Sequence, residues 1–406
     1  MMQEVLLSSI CDLKNGFAFK SKDYVDSSNT LSCRMSSIRP GGNFDLEHNQ
    51  RFLPDTYAEV YSDYLLKDGD IVIAMTDLAG DPKILGVPTI VNTGGKKLLQ
   101  NQRVGKLVIT DSSKVFVPYL QYALNRPSNK SYYKKFAGGG LQINVSKKDI
   151  LNNSVPLPPL DQQKKIAAIL DSADTYRQKT KALIEKYDEL TQSLFLDMFG
   201  DPVSNPKGWD VKTIGDCFNV KGGKRLPKGS EYETIVTKHA YIRVKDFMAN
   251  GLDTSNIKYI SEEIHDKISR YTISSNDVYI SIAGTIGLSG YVPEYLSGAN
   301  LTENAAKLIP KKGIEFRKEY LSLYLNSDYA QQNIKSKTMA VGVPKLALFR
   351  IQELPYIDAP INAQDIFVRR VQAIEAQKAQ AQASLAQAED LFNSLLQRAF
   401  KGELTS

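Results

Sequence analysis

The sequence predicts an α+β chain of two pseudo-repeated mixed α/β globules, each followed by a long helix. Three observations predict it. The phrase Ser193-Leu194, four residues, Phe199 returns as Ser394-Leu395, four residues, Phe400, and a glycine stands just after each, in a chain of 406 residues. Weaker matches recur in one common order at offsets between 201 and 209, as loop insertions produce; a repeat of this kind decides the fold. Each closing phrase ends a stretch patterned at seven-residue spacing.

The elements follow in chain order. "DIVIAM" and "KLVIT" are short, β-branched and flanked by Gly, Asp and Asn, which marks strands. "VPYLQYALN" then reads as a helix and "AGGG" at 137–140 as a turn. The second half answers with "DVYISI", "AKLIP" and "KEYLSLYLN". Proline-marked entries, "VPLPPLDQQ" and "DAPINAQ", open the two long helices, because proline at a helix start removes an N–H that has no partner there. The predicted segments are 1–158, the first globule; 159–200, the central helix; 201–358, the second globule; and 359–406, the C-terminal helix.

On the first helix Ile166, Ala173, Thr180, Tyr187 and Leu194 fall at one heptad position, with Ile169, Tyr176, Leu183 and Leu190 at its partner. On the second, Val371, Leu385, Phe392 and Ala399 alternate with Ile374, Ala381, Ala388 and Leu395; Leu391 is assigned to the seam beside Phe392, and Lys378 is a polar intruder. This is coiled-coil spacing over four to five heptads. At about 1.5 Å per residue each helix spans roughly 60 Å. One apolar stripe needs a partner, and the nearest available one is the other helix. If the two lie antiparallel, the globules sit at opposite ends of a rod related by a pseudo-two-fold axis.

Composition sets outer bounds. The net charge is +6, which permits a polyanionic partner without demanding one. Cys11, Cys33 and Cys217 stand far apart, against a disulfide frame or a zinc site and in favour of a reducing compartment. The N-terminus lacks a basic start and a long apolar run, and nothing is long enough to cross a bilayer, so a cytoplasmic chain with no membrane partner is expected.

Catalytic motifs are missing. "GGKK" and "GGKR" lack phosphate-loop spacing, and no H-E-x-x-H, G-x-S-x-G or methyltransferase Asn/Asp-Pro-Pro-aromatic tetrad occurs. Pro54-Asp55 with Asp81-Pro82-Lys83 forms a degenerate nuclease-like pattern, and Asp81-Pro82 equally begins a turn. No catalytic residue, metal ligand or cofactor site is therefore assigned. Basic loops supply the other signal: Lys20, Lys22, Arg34, Arg39, Lys134, Lys135, Gln142, Asn144, Lys147 and Lys148 in the first half. In the second half they are Lys221, Lys224, Arg225, Lys228, Arg243, Lys245, Lys335, Lys337, Lys345 and Arg350. Lys and Arg neutralise phosphates, and Arg, Asn and Gln read base edges. Corresponding loops are basic in both copies, with Arg34 and Arg243 at the same place in the repeat. The globules nevertheless differ sharply in sequence, so two readers would read two different sequences, a split target.

The paired plan, "VPLPPLDQQKKIAAILD", "SLFLDMFGDP" and "SLLQRAFKGEL" together resemble the specificity (S) subunits of type I restriction-modification systems, over essentially the whole chain. "DAPINAQDIFVRRV" departs from the family's usual entry. The resemblance implies two target recognition domains and two spacer helices packed as an antiparallel coiled coil. It implies binding of an asymmetric bipartite site in double-stranded DNA by a subunit that catalyses nothing. Two modification (methyltransferase) subunits then bring S-adenosylmethionine, and two restriction subunits bring ATP- and Mg-dependent work. It also implies docking on the helices, for which Lys164, Lys165, Arg177, Arg369 and Arg370 are candidates. "GGGLQINVSKKDI" resembles the family's turn before the exit strand, which favours Gln142, Asn144, Lys147 and Lys148; Gly342, Lys345 and Arg350 stand at the matching place. Three alternatives stay open: the recognition subunit of a two-subunit type II methylating system, a metal-dependent DNA nuclease built on Asp55, Asp81 and Lys83, and a helical scaffold whose globules bind protein.

Overall fold

The computed structural model describes residues 3–136, 141–201, 204–338 and 344–404. The chain divides into two compact units, residues 1–181 with 383–406 and residues 182–382.

In the first unit, β1 (Cys11–Asn15), β2 (Thr30–Cys33), β3 (Phe52–Leu53), β4 (Leu65–Leu66), β5 (Ile71–Ala74), β6 (Thr76–Leu78), β7 (Pro88–Ile90), β8 (Lys97–Gln100) and β9 (Val104–Ile109) precede helix α1 (Val117–Leu124) and β10 (Gln142–Asn144). One sheet has the order β1-β9-β5-β7, all antiparallel; the other is β3-β2-β8-β4, with β2 and β8 parallel. Ile71, Val72, Ile73 and Ala74 are all buried. A strand covered on both faces carries a continuous apolar run, which is why "DIVIAM" does not alternate.

The second unit repeats this plan. Its strands are β11 (Phe218–Gly222), β12 (His239–Ile242), β13 (Lys258–Ile260), β14 (Thr272–Ile273), β15 (Val278–Ser281), β16 (Ser289–Tyr291), β17 (Ala299–Leu301) and β18 (Ala305–Pro310). Its sheets run β11-β18-β15-β16 and β13-β12-β17-β14, again with one parallel pair, β12 and β17. The β5–β7 connection is longer than its β15–β16 counterpart, and it carries β6, which pairs with β10 as a two-stranded ribbon. Among the described residues, the second unit has a bridge at the corresponding place, Ala283 to Lys345.

The two long helices are α2 (Leu160–Phe199) and, after α3 (Lys318–Asn326), α4 (Ile361–Lys401). Gly200 closes α2 at φ 81° with its N–H donated to Leu196 O, a left-handed cap that suits glycine. In the first unit Ile166, Ala167 and Leu170 of α2 share a core with Phe392 and Ala399 of α4. In the second, Phe195 and Phe199 share one with Phe367 and Val371. Within each unit the helices therefore run antiparallel.

The α4 seam follows the expected spacing, with Val371, Ala381, Phe392 and Ala399 buried and Ile374, Leu385 and Leu395 half-buried; Leu391 is a correction, since it is 53% exposed. On α2 half of the expected seam is displaced. Ile166 is buried and Tyr187 and Leu194 are half-buried, but Ile169, Tyr176, Leu183 and Leu190 face outward. The inward partner positions lie one residue later, at Leu170, Arg177, Ile184 and Thr191. Polar residues are accommodated there by local bonding. Arg177 pairs with Asp174 and lays its guanidinium 4.5 Å from the Phe392 ring centroid, and Thr191 donates its hydroxyl to Tyr187 O. Lys378, the intruder on α4, pairs with Asp188 of α2.

Each helix start is fastened to its globule by one buried glutamine. Gln163 accepts from Phe116 N (2.9 Å) and donates to Lys114 O and Pro158 O (both 2.8 Å). Gln364 accepts from Arg317 N and donates to Ala359 O (both 2.8 Å). Tyr119 Oη donates to Pro156 O, and Tyr320 Oη to Ile357 O.

Candidate nucleic-acid interface

The basic loops divide into side chains held by acids and side chains without them. Arg243 is the clearest correction. It is 9% exposed, its Nε and backbone N–H both donate to Asp246 Oδ2 at 2.8 Å, and its Nη2 donates to Asp246 Oδ1 and Asn256 O. A buried guanidinium with three of its five N–H donors held inside the fold is a strut rather than a free reading group. Asn144 is exposed, with its Oδ1 accepting from Thr76 Oγ1 at 2.7 Å. Arg39 pairs with Asp45 (3.8 Å), Lys147 with Asp12 (2.6 Å), Arg225 with Glu303 (2.5 Å) and Lys337 with Glu353 (2.9 Å). The Lys147 ammonium beside Asp12 holds that carboxyl below its usual range. Lys135 lies over the Tyr132 ring at 3.8 Å, Lys224 over Tyr271 at 5.7 Å, and the half-buried Arg350 over Phe349 at 5.6 Å.

Lys20, Lys22, Lys134, Gln142, Lys148, Lys221, Lys228, Lys245, Lys335 and Lys345 are exposed and form no ion pair among the described residues. Gln142 stands on the β6–β10 ribbon, beside Leu141 and opposite Leu78, both exposed. Lys335 borders a groove with Ile286, Gln331, Gln332 and Thr338. The "AGGG" turn and Gly342 lie outside the described residues. Of the helix candidates, Lys164, Lys165, Arg369 and Arg370 are exposed, whereas Arg177 packs into the α2–α4 seam, which corrects its assignment to a docking face.

Arg34 is placed differently from Arg243. It is half-buried at the end of β2, where two clefts adjoin. The larger, 370 Å³, is bordered by Phe19, Ser21, Tyr24, Met35, Asn101, Gln102 and Arg103; the smaller, 340 Å³, by Ser36, Asn49, Gln50 and Arg51. Among the described residues Arg34, Arg51 and Arg103 have no carboxylate within ion-pair distance. Sequence reasoning missed Arg51 and Arg103, although a signal was present: the tripeptide Asn-Gln-Arg occurs at 49–51 and again at 101–103. The fold brings both copies to the clefts that Arg34 borders. Guanidinium forks and side-chain amides are the groups that address base edges bidentately.

The nuclease pattern is not assembled into a centre. Asp55 accepts from Asn29 N and Thr30 Oγ1, and Asp81 is an exposed partner of Lys83. Among the described residues no group of three or more His, Cys, Asp or Glu is arranged to hold a metal ion, and no helix is long and apolar enough to cross a membrane. Burial pushes the Cys11 and Cys33 thiols up to about 12, with the Asp12 charge adding to the effect at Cys11.

A family profile described as the type I restriction modification DNA specificity domain matches residues 1–187 and again 206–389. The specificity subunit of the type I restriction enzyme EcoBI of Escherichia coli is 24% identical over 433 aligned positions, covering 99% of this chain and 86% of that protein. Among solved structures, the S subunit of a type I restriction-modification system from M. genitalium superposes with a TM-score of 0.58 at 18% identity, over 98% of this chain and 96% of that one. A structure described under complex assembly and conformational transition of the type I R-M system gives 0.57 at 17% identity, over 99% and 98%. At these identities the structural likeness speaks for the fold.

Proposed function

Because the chain belongs to the type I restriction-modification DNA specificity family, we propose that this DNA sequence-specificity subunit binds a bipartite duplex target, one half-site to each globule. The observation that carries the proposal is a scaffold present twice with unlike surfaces. Strand orders and helix fastenings repeat, while the length of the β5–β7 region and the fate of the shared arginine do not. Two equal frames with different polar surfaces are suited to two different base sequences.

The subunit is proposed to recognise DNA without catalysing a reaction. S-adenosylmethionine, ATP and Mg would then enter with two modification and two restriction subunits. The outward α2 residues Ile169, Tyr176, Leu183 and Leu190 form an apolar row at seven-residue spacing, as a partner protein would cover. In the first globule, Lys20, Lys22, Lys134 and Lys148 are proposed to meet phosphates. Lys221, Lys228, Lys245, Lys335 and Lys345 are proposed to do so in the second.

The test is a methylome. The chain is expressed with its cognate modification subunit in a methylation-free host, and modified adenines are mapped on both strands. A split motif with constant gap, absent when this chain is omitted, is the expected result. No methylation from an assembled pair of subunits would refute the reading. A type II methylating system predicts the same motif and is separated by the absence of any ATP-dependent restriction partner.

A further inference from the structure

We infer that Arg34 is a specificity-determining residue that reads a guanine in the first half-site, and that its repeat counterpart Arg243 reads none. The inference rests on the specificity function above and goes further, to a residue and a base.

The two arginines occupy one topological position. Each follows a strand that pairs in parallel within a four-stranded sheet of the same order, and each precedes a 3₁₀ turn, Met35–Ser37 or Val244–Asp246. The third turn residue decides the arginine's fate. In the second unit it is Asp246, whose carboxylate takes the guanidinium in a fork; the two side chains are 10% and 5% exposed. In the first unit it is Ser37, whose hydroxyl accepts only the Arg34 backbone N–H, at 3.4 Å. A hydroxyl cannot neutralise or fork a guanidinium, and the half-buried Arg34 borders both clefts with no carboxylate partner among the described residues.

A half-buried cation without a counter-group costs free energy unless a ligand supplies the acceptors. Two acceptors side by side suit the planar fork, and guanine offers them as O6 and N7 in the major groove. The surroundings are those of base recognition. Asn49 and Arg51 border one side, Gln102 and Arg103 the other. A phosphate would also satisfy the charge, but it would leave the flanking amides without a role, and its loss would weaken all sequences alike.

The experiment uses the full chain co-expressed with its modification subunit, with the methylated motif mapped for each variant. Ser37→Asp transplants the second unit's carboxylate and should lock Arg34 as Asp246 locks Arg243. The expected result is relaxed discrimination at one guanine of one half-site, by roughly 10- to 100-fold. The other half-site should stay unchanged, which also reports that the protein is folded. Arg34→Gln keeps a polar side chain without the fork and should relax the same position, so the inference remains testable if Ser37→Asp does not fold. Arg243→Lys should relax no single base. An unaltered motif in Arg34→Gln, or a uniform loss of methylation over all sequences, would overturn the inference while leaving the specificity function intact. Absence of any motif from the wild-type complex would instead sink the specificity function.

Discussion

Replacing Leu170 by Ala should cost several times more stability than replacing its neighbour Ile169. Leu170 is fully buried against Ile166, Ala167 and Phe392, and Ile169 is 36% exposed. Removing a fully buried leucine side chain leaves a cavity as well as losing transfer energy, and costs about 2–5 kcal/mol. For Ile169 the lost burial is only partial, about 1 kcal/mol, and the gain in helix propensity from isoleucine to alanine offsets up to about half of it. The expected gap is therefore about 1–4 kcal/mol. The assay is urea unfolding followed by far-UV circular dichroism, with Trp209 fluorescence as a second probe. Trp209 is the sole tryptophan and lies in the second unit, so its fluorescence reports that unit while the dichroism reports the whole chain. Equal costs at the two positions, or a larger cost at Ile169, would refute the α2 register and return the seam to Ile169, Tyr176, Leu183 and Leu190.

Three further outcomes are expected. Tyr176→Asp, at an outward position, should leave the unfolding transition nearly in place and weaken co-purification with the modification subunit. Unimpaired assembly would remove the outward row of α2 from the partner interface. Cys11, Cys33 and Cys217 should all resist a thiol reagent at neutral pH and react together on unfolding, because burial raises all three thiols. One thiol reacting in the folded protein would contradict its placement. The Asp111 carboxyl is held down to about 2 by Ser113 and Lys114. Its folded value lies below the unfolded one, near 3.9, so its contribution is fully present above about pH 4 and fades as pH falls toward 2. Asp111→Asn should flatten that acid limb of stability, and an unchanged limb would show that the hydrogen bonds are not kept in solution.

The repeat was legible because apolar spacing and chain order survive when individual residues do not. Strands such as Ile71–Ala74 and Val278–Ser281 announce themselves by continuous β-branched or aromatic runs, which a doubly covered strand needs. The α2 seam was half illegible for a physical reason. A heptad read from hydrophobicity selects Ile169, Tyr176, Leu183 and Leu190, the more apolar row. The fold turns Arg177 and Thr191 inward instead, since an arginine stem packs like an aliphatic chain and a threonine hydroxyl bonds back along its helix. The interface was less legible still. Composition names basic residues but not their partners, so Arg243 and Arg34 look alike until Asp246 and Ser37 are seen three positions on. The doubled Asn-Gln-Arg tripeptide carried information that no charge count reveals.

The offset between equivalent residues shows where the fold tolerates change. It is 207 from β5 to β15 and 201 from β9 to β18, so six residues are lost inside the β5–β7 region, where the first unit builds its ribbon. From there to the long helices it stays at 201: Phe116 and Arg317, Tyr119 and Tyr320, Gln163 and Gln364. A loop over the surface lengthens cheaply. A glutamine that must meet fixed backbone groups on both sides does not shift, because one residue of slip on a helix swings it through about 100°. Gln364→Ala would strand the Arg317 N–H and the Ala359 carbonyl in a buried place, at about 1–3 kcal/mol for each group. Gln364→Glu would keep the acceptor for Arg317 N and lose the donor for Ala359 O. Because it also buries a carboxylate facing the Ala359 carbonyl oxygen, it should be at least as destabilising as alanine in the unfolding of the second unit, followed by Trp209 fluorescence. An alanine variant as stable as wild type would show that the fastening is incidental and that the constant offset reflects helix packing alone.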